Sequence, residues 1–204
     1  NGNITTASFK VSIDAIGASI DNGIGMMLYA ADKSIIDINI IAEVNGDATI
    51  DAENQNGIIL TDDIFETIGD RYQNNGTGPM AIPDTLYFSI GFNTGLTDFV
   101  PELYLFRTND RGHEVHRSGF PQTATMNASR FNTEDDAGDF KSATGLPWGM
   151  EIITEEIYKN PIEKIDILIA YPEFELWATT EGEQNQTWYL SPVEDKVVDI
   201  SEIE

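Results

Sequence analysis

Residues 99–121 form the stretch that most restricts how this chain can fold. The segment from Phe99 to Thr108 is apolar and aromatic, which is typical of a strand with a buried face. Asn109 to Gly112 predicts a turn, because Asn and Asp bond their own backbone and Gly accepts a positive φ. His113 to Arg117 then returns as a polar strand. We therefore predict a β-hairpin that sets charged side chains beside an apolar strand.

Alternation of apolar and polar residues predicts further strands at 9–13 and 86–92, since successive side chains of a strand point to opposite faces. Asn22-Gly23 is a strong turn signal, and a strand is predicted to follow it. Apolar runs and turn residues predict the remaining elements. These are strands at 26–30, 35–44, 57–60, 149–154, 165–170, 188–190 and 196–200, and a single helical turn at 64–68.

One helix is predicted near residues 172–180. Pro172 suits the first helical turn, and Tyr171, Phe174 and Trp177 recur at helical spacing. Gly182 is expected to end the helix. The chain is thus all-β, or β-rich α+β. We expect one domain over residues 1–204, an antiparallel, jelly-roll-like β-sandwich with this one short helix.

Acidic residues dominate the charge of the chain. Its 204 residues include 35 Asp and Glu against 11 Lys and Arg, for a net charge of −24. Such a surface repels nucleic acid and anionic lipid and attracts cations, so we expect no nucleic-acid partner. The absence of cysteine excludes disulfides and thiolate chemistry. No apolar run reaches the length of about 18 residues that spans a membrane.

Two histidines flank Glu114 in the predicted hairpin. His113 and His116 stand three residues apart in a strand and face opposite sides, so they are not expected to share a zinc ion. Instead we predict a partly buried structural network of Arg107, Arg111, Glu114 and His116, in which Glu114 pairs with Arg107, Arg111 or the neighbouring Arg117.

A run of acids lies in the long stretch 122–145, which has little periodicity. Asp135, Asp136 and Asp139 surround a glycine, and clustered hard oxygens of this kind suit Ca²⁺. One interpretation is a structural calcium site that orders the loop. The other is that these acids are solvated, or are paired with Arg130 or Lys141.

The three tryptophans divide into two groups. Trp177 lies on the apolar stripe of the helix predicted near 172–180, and Trp148 directly precedes the strand predicted at 149–154, so both are expected in the core. Trp188 and Tyr189 follow the polar residues 184–186 and are the expected exposed pair. They are therefore the candidate ligand-binding residues.

Several short motifs stand along the chain at 17–19, 22–25, 111–116, 119–121 with Thr123, Phe131 with 135–136, 145–148, 161–164, 170–171 with Phe174 and Trp177, and 188–189. In their order and spacing they resemble the LruC domain of exported lipoproteins and surface proteins of Gram-negative bacteria. Gln122 stands where that pattern more often has a second proline. The resemblance implies an extracytoplasmic location, at the cell surface or outer membrane or else in the periplasm, and it implies no activity.

We therefore expect a noncatalytic envelope module that binds a glycan or a surface protein, or that has a structural role. The alternative is a secreted carbohydrate-active hydrolase with a pair of carboxylates such as Glu163 and Asp166, although the G-x-S-x-G nucleophile motif is absent. Since the chain starts at Asn1 without a methionine, any export signal or lipid anchor is expected to lie outside it.

Overall fold

The protein is described by a computed structural model that covers residues 3–13, 20–53, 56–68, 84–121, 123, 136–138, 140–156 and 158–198. Its strands are β1 (Ile4–Ile13), β2 (Asn22–Tyr29), β3 (Ile41–Gly46), β4 (Thr49–Ile50), β5 (Gly57–Thr61), β6 (Asp84–Leu96), β7 (Val100–Arg107), β8 (Asp110–Val115), β9 (Asp136–Gly138) and β10 (Lys141–Ser142). The α-helices are α1 (Ile64–Ile68), α2 (Ile167–Ala170) and α3 (Phe174–Thr179), and short 3-10 helices span Ile38–Ile40, Trp188–Leu190 and Glu194–Lys196.

Two antiparallel sheets form a β-rich sandwich, as the sequence predicts. One sheet has the order β1-β6-β3, and the other has the order β4-β5-β2-β7-β8. Phe88 and Ile90 of β6 pack against Met26 and Leu28 of β2 in the core between the sheets. The predicted alternation on β6 is confirmed, since Leu86, Phe88, Ile90 and Phe92 are all buried.

The five-stranded sheet is covered on its other face as well. Met27 and Tyr29 of β2 belong to a second apolar cluster with Tyr104 and Phe106 of β7. Because strand side chains alternate between faces, β2 is buried along nearly its whole length. Its Asn22-Gly23 dipeptide lies inside the strand, so the predicted turn is wrong there.

The glycines of β2 have a packing role instead. A side chain on Gly25 would collide with the ring of Tyr104, and one on Gly23 would collide with Phe106. Glycine therefore lets the two aromatic rings lie directly on the neighbouring strand.

The predicted hairpin is formed by β7 and β8, and its turn is shorter than the sequence indicates. Arg107 pairs with Asp110, which leaves a two-residue turn at 108–109. Glu102, Tyr104 and Phe106 point to the buried face of β7, while Leu103 and Leu105 remain 45% and 43% exposed. The hairpin thus buries an acidic side chain along with its aromatic residues.

The last third of the chain departs most from expectation. Residues 149–154 are irregular rather than a strand, 167–170 form helix α2, and 188–190 and 194–196 are 3-10 helices. Periodicity does not separate a short buried strand from a helical turn of four or five residues. The side chain of Asp166 stabilises the helical conformation of α2, because it caps the helix by accepting a hydrogen bond from the Leu168 N–H at 2.8 Å.

The predicted helix near 172–180 is confirmed as α3, which begins two residues after Pro172. Gly182 follows it with a φ of 86° and donates its N–H to the Trp177 carbonyl at 2.9 Å. A glycine in the left-handed conformation is a common end to a helix. Nowhere in the described ranges is there a helix with the length and apolar character needed to cross a membrane.

These short helices pack around Trp188, which is only 1% exposed. Its ring contacts five aromatic side chains: Tyr158, Tyr171, Phe174, Trp177 and Tyr189. Trp188 therefore forms the centre of an aromatic cluster that is separate from the sandwich core.

Replacing Trp188 by alanine is expected to lower the free energy of unfolding by about 3 to 5 kcal/mol, because it removes a buried ring and leaves a cavity. Urea unfolding measures this change. Tyr87→Ala serves as the control, since Tyr87 is 57% exposed on β6. Equal losses in the two variants would contradict a core role for Trp188.

Candidate functional site

In the described part of the chain, a deeply buried histidine is held between two deeply buried carboxylates. We call Glu102, Glu114 and His116 the histidine clamp; they are 0%, 2% and 1% exposed. His116 Nδ1 lies 3.0 Å from Glu102 Oε2, and His116 Nε2 lies 2.9 Å from Glu114 Oε2. The imidazole thus joins the end of β8 to β7.

Further donors satisfy the remaining carboxylate oxygens of the clamp. The Thr123 hydroxyl donates to Glu114 Oε1 at 2.6 Å, and the Arg117 backbone N–H donates to Glu102 Oε1 at 3.0 Å. The ring of Tyr104 stacks on the imidazole with centroids 4.5 Å apart. These contacts fix residues 116–117 and Thr123 against the outer face of the five-stranded sheet.

The geometry favours a doubly protonated imidazole. An ionised carboxylate only accepts hydrogen bonds, so contact with two carboxylates calls for an N–H on each ring nitrogen. Burial by itself would lower the pKa of His116, but the hydrogen bonds to Glu102 and Glu114 outweigh burial and raise that pKa above its usual 6.5. The imidazole is therefore buried together with the two carboxyl groups that hold it.

Sequence reasoning placed Glu114 and His116 in a network with arginines, but the ion pairs of Arg111 and Arg117 are with acids outside the clamp. Arg111 contacts Asp51 at 2.9 Å and also pairs with Asp62. The Nε of Arg107 is buried and has no hydrogen-bond partner in the described part of the chain. The sequence did not identify Glu102 or Thr123 as members of this site. Glu102 nevertheless alternates with exposed residues in the same way as Tyr104 and Phe106, so its position on the buried face of β7 could have been inferred.

A pocket of about 530 Å³ lies beside the clamp, between the loop 117–120 and the end of α3. We call it the basic pocket, because three of the chain's 11 lysines and arginines line it. It also contains two aromatic side chains and two acids. The residues that matter here are Lys33, Arg117, Phe120, Lys141, Glu151, Trp177 and Glu181.

Cations cover the ring of Phe120 in this pocket. Lys33 Nζ is 4.8 Å from the ring centroid, and Arg117 Cζ is 4.4 Å from it. The ring also meets Tyr29 edge-on, with centroids 4.9 Å apart. Cations over an aromatic face are attracted by its negative potential, so Phe120 helps to hold both basic groups at the pocket wall.

Two of the three cations are paired with acids that share the pocket. Arg117 forms an ion pair with Glu151, and Lys141 Nζ lies 3.3 Å from Glu181 Oε1. Lys33 has no acid within ion-pair distance among the residues that the structure describes. The pocket therefore carries one positive charge that no described acid neutralises.

The predicted ligand-binding aromatics lie outside the pocket. Trp188 is buried, so the expectation that it is exposed is wrong, and Tyr189 is half-buried beside it. The Trp188–Leu190 helix turns the indole inward although polar residues precede it. Ligand binding by Trp188 and Tyr189 stays a prediction. Trp177, which the sequence assigned to the core, borders both the aromatic cluster and the pocket.

Trp148 is also placed differently from its prediction. It is 37% exposed, so its assignment to the core is wrong. It borders a second depression, of about 310 Å³, between β1 and the exposed face of β7. The three-stranded sheet leaves this part of β7 uncovered, which accounts for the exposure of Leu103 and Leu105.

The calcium prediction rests largely on residues that the structure does not describe. Asp135 and Asp139 lie outside the described ranges, and of Asp136 only the backbone is described, in β9. Lys141, one proposed partner of these acids, pairs with Glu181. Elsewhere in the described chain no group of three or more His, Asp or Glu side chains is arranged to hold a metal ion.

The histidine clamp predicts a pH dependence of stability. Since the folded pKa of His116 is raised above 6.5, its contribution is complete below that value and is lost as the pH rises through the folded pKa. The free energy of unfolding is therefore expected to fall as the pH rises above about 6.5, measured by urea unfolding at a series of pH values.

His113→Gln is the control for this measurement. Burial and the charge of Arg107 lower the pKa of His113, so its titration acts with the opposite sign and at lower pH. The fall in stability should persist in His113→Gln. A wild-type stability that stays constant or rises over this range would contradict the assignment.

Comparisons with known proteins give a family. The model of a domain of unknown function, DUF4842, matches residues 2–189. A crystal structure of a Bacteroides ovatus protein, described as a "putative lipoprotein", is similar with a TM-score of 0.47 and 16% identity. The alignment covers 97% of this chain and 60% of that one, so the chain spans about three fifths of its length. No curated protein matches significantly. Because the family model covers most of its residues, the chain belongs to the DUF4842 family.

Proposed function

We propose that the protein is a noncatalytic module of the bacterial envelope that binds a glycan in the basic pocket. The observation that carries this proposal is the composition of that pocket. In a chain with a net charge of −24, three basic side chains gather beside Phe120 and Trp177. Aromatic surface together with a few convergent polar groups is the usual make-up of a small-molecule site.

The local chemistry supports binding over catalysis. A glycosidase needs one carboxyl that is kept protonated and a second that is free to act as base or nucleophile. In the pocket, Glu151 and Glu181 are each engaged in an ion pair, with Arg117 and Lys141 respectively. Of the pair considered from the sequence, Asp166 is committed to capping α2.

The extracytoplasmic location is part of the proposal and is supported by the resemblance to LruC domains. An attachment to the membrane, in this account, runs through a lipid anchor outside the described chain. The acidic surface agrees with a soluble surface module that avoids nucleic acid and anionic lipid.

A glycan array probed with the labelled protein tests the function. We expect binding to at least one class of microbial surface glycan and no release of sugar from it. Trp177→Ala and Lys141→Gln should each reduce the bound signal by about tenfold or more, because each removes a group that lines the pocket.

Lys159→Gln is the matched control. Lys159 pairs with Glu194 as Lys141 pairs with Glu181, and the two lysine side chains are similarly exposed, at 30% and 27%. Only Lys141 lines the pocket. An array without binding, or binding that the pocket variants leave intact, would overturn the proposal. Turnover of a bound glycan would favour the hydrolase alternative.

A further inference from the structure

We propose that the basic pocket selects sugars that carry one carboxylate, such as a uronic acid residue of a surface polysaccharide, and that Lys33 binds this carboxylate. This inference rests on the function proposed above and adds the ligand class and the residue that recognises it.

The charge of the pocket fits a single negative charge. Among the residues that the structure describes, its three cations face two acids, each of which is already paired with a base, so one positive charge remains. A ligand with several negative charges would carry more charge than this one positive group neutralises. It would also meet the field of a chain with net charge −24, which extends about 10 Å at ordinary ionic strength.

The remaining charge belongs to Lys33, and the structure holds it close to the pocket wall. Its ammonium lies over Phe120 and next to Gly119, where an added Cβ would stand 3.0 Å from Nζ. Gly119 has a φ of 80°, so glycine is favoured there for two reasons. A lysine ammonium in this position presents its remaining donors to a ligand carboxylate.

The other polar groups of the pocket suit sugar hydroxyls. The Trp177 indole is half-buried and lines the pocket, and its Nε1–H is a hydrogen-bond donor. Glu151 and Glu181 are 50% and 82% exposed at their side chains, so their oxygens can accept from hydroxyls. Donors, acceptors and an aromatic surface in one cavity favour a polyol with a carboxylate over a bare inorganic anion.

The experiment compares ligands that differ in one group. Disaccharides that contain one glucuronate, galacturonate or mannuronate are titrated calorimetrically against the full chain, beside their carboxyl-reduced neutral counterparts. We expect at least one acidic disaccharide to bind about tenfold or more tightly than its counterpart, as a charge-assisted hydrogen bond would give.

Lys33 variants assign the preference to one residue. Lys33→Gln should reduce the acidic-to-neutral ratio to about threefold or less, and Lys33→Arg should keep the preference. Lys10→Gln removes the same charge from the exposed side of β1, away from the pocket, and this variant should also keep the preference for the acidic sugar.

Each other outcome overturns the inference. Equal affinity for acidic and neutral disaccharides would refute the carboxylate preference and leave glycan binding standing. Tighter binding of inorganic phosphate, sulfate or an acidic peptide would replace the proposed ligand class. If no disaccharide binds, the inference fails, and the array separately decides whether the protein binds glycans.

Discussion

The contact of one buried imidazole with two buried carboxylates is the constraint on which the rest of the structure depends. His116 lies at the end of β8, Glu102 lies on β7, and Thr123 adds a donor from beyond the loop. Charged groups with so little exposure are stable only when they are paired and hydrogen-bonded. Removal of one partner from such a set costs about 3 to 5 kcal/mol, so the group specifies how His116 and Thr123 lie on the sheet.

The clamp also positions the basic pocket. Arg117 donates its backbone N–H to Glu102 in the clamp, while its guanidinium reaches the pocket, pairs with Glu151 and covers Phe120. One residue therefore connects the buried network to the surface site. The rigid sheet below holds the loop in place, and the loop in turn presents cations and an aromatic ring to solvent. The arrangement is typical of binding sites, which loops form on a stable scaffold.

The sequence predicted those parts of the fold that local patterns determine. Strands such as β6 alternate because one face is buried, and α3 shows both its apolar stripe and its terminal Gly182. The last third was mispredicted because four-residue apolar segments such as 167–170 fit a strand as well as a helical turn. The basic pocket escaped prediction for another reason. Lys33, Arg117, Lys141 and Trp177 come from four distant segments, and only the tertiary fold brings them together.

Nuclear magnetic resonance of the imidazole nitrogens at neutral pH tests the central claim, that His116 is a doubly donating imidazolium. The chain has only two histidines, and spectra of His113→Gln assign the resonances of His116. The account predicts that both ring nitrogens of His116 carry protons, that both protons exchange slowly with water, and that the Arg117 amide is protected from exchange. A His116 ring with one bare nitrogen at neutral pH, or with rapidly exchanging protons, would contradict the account.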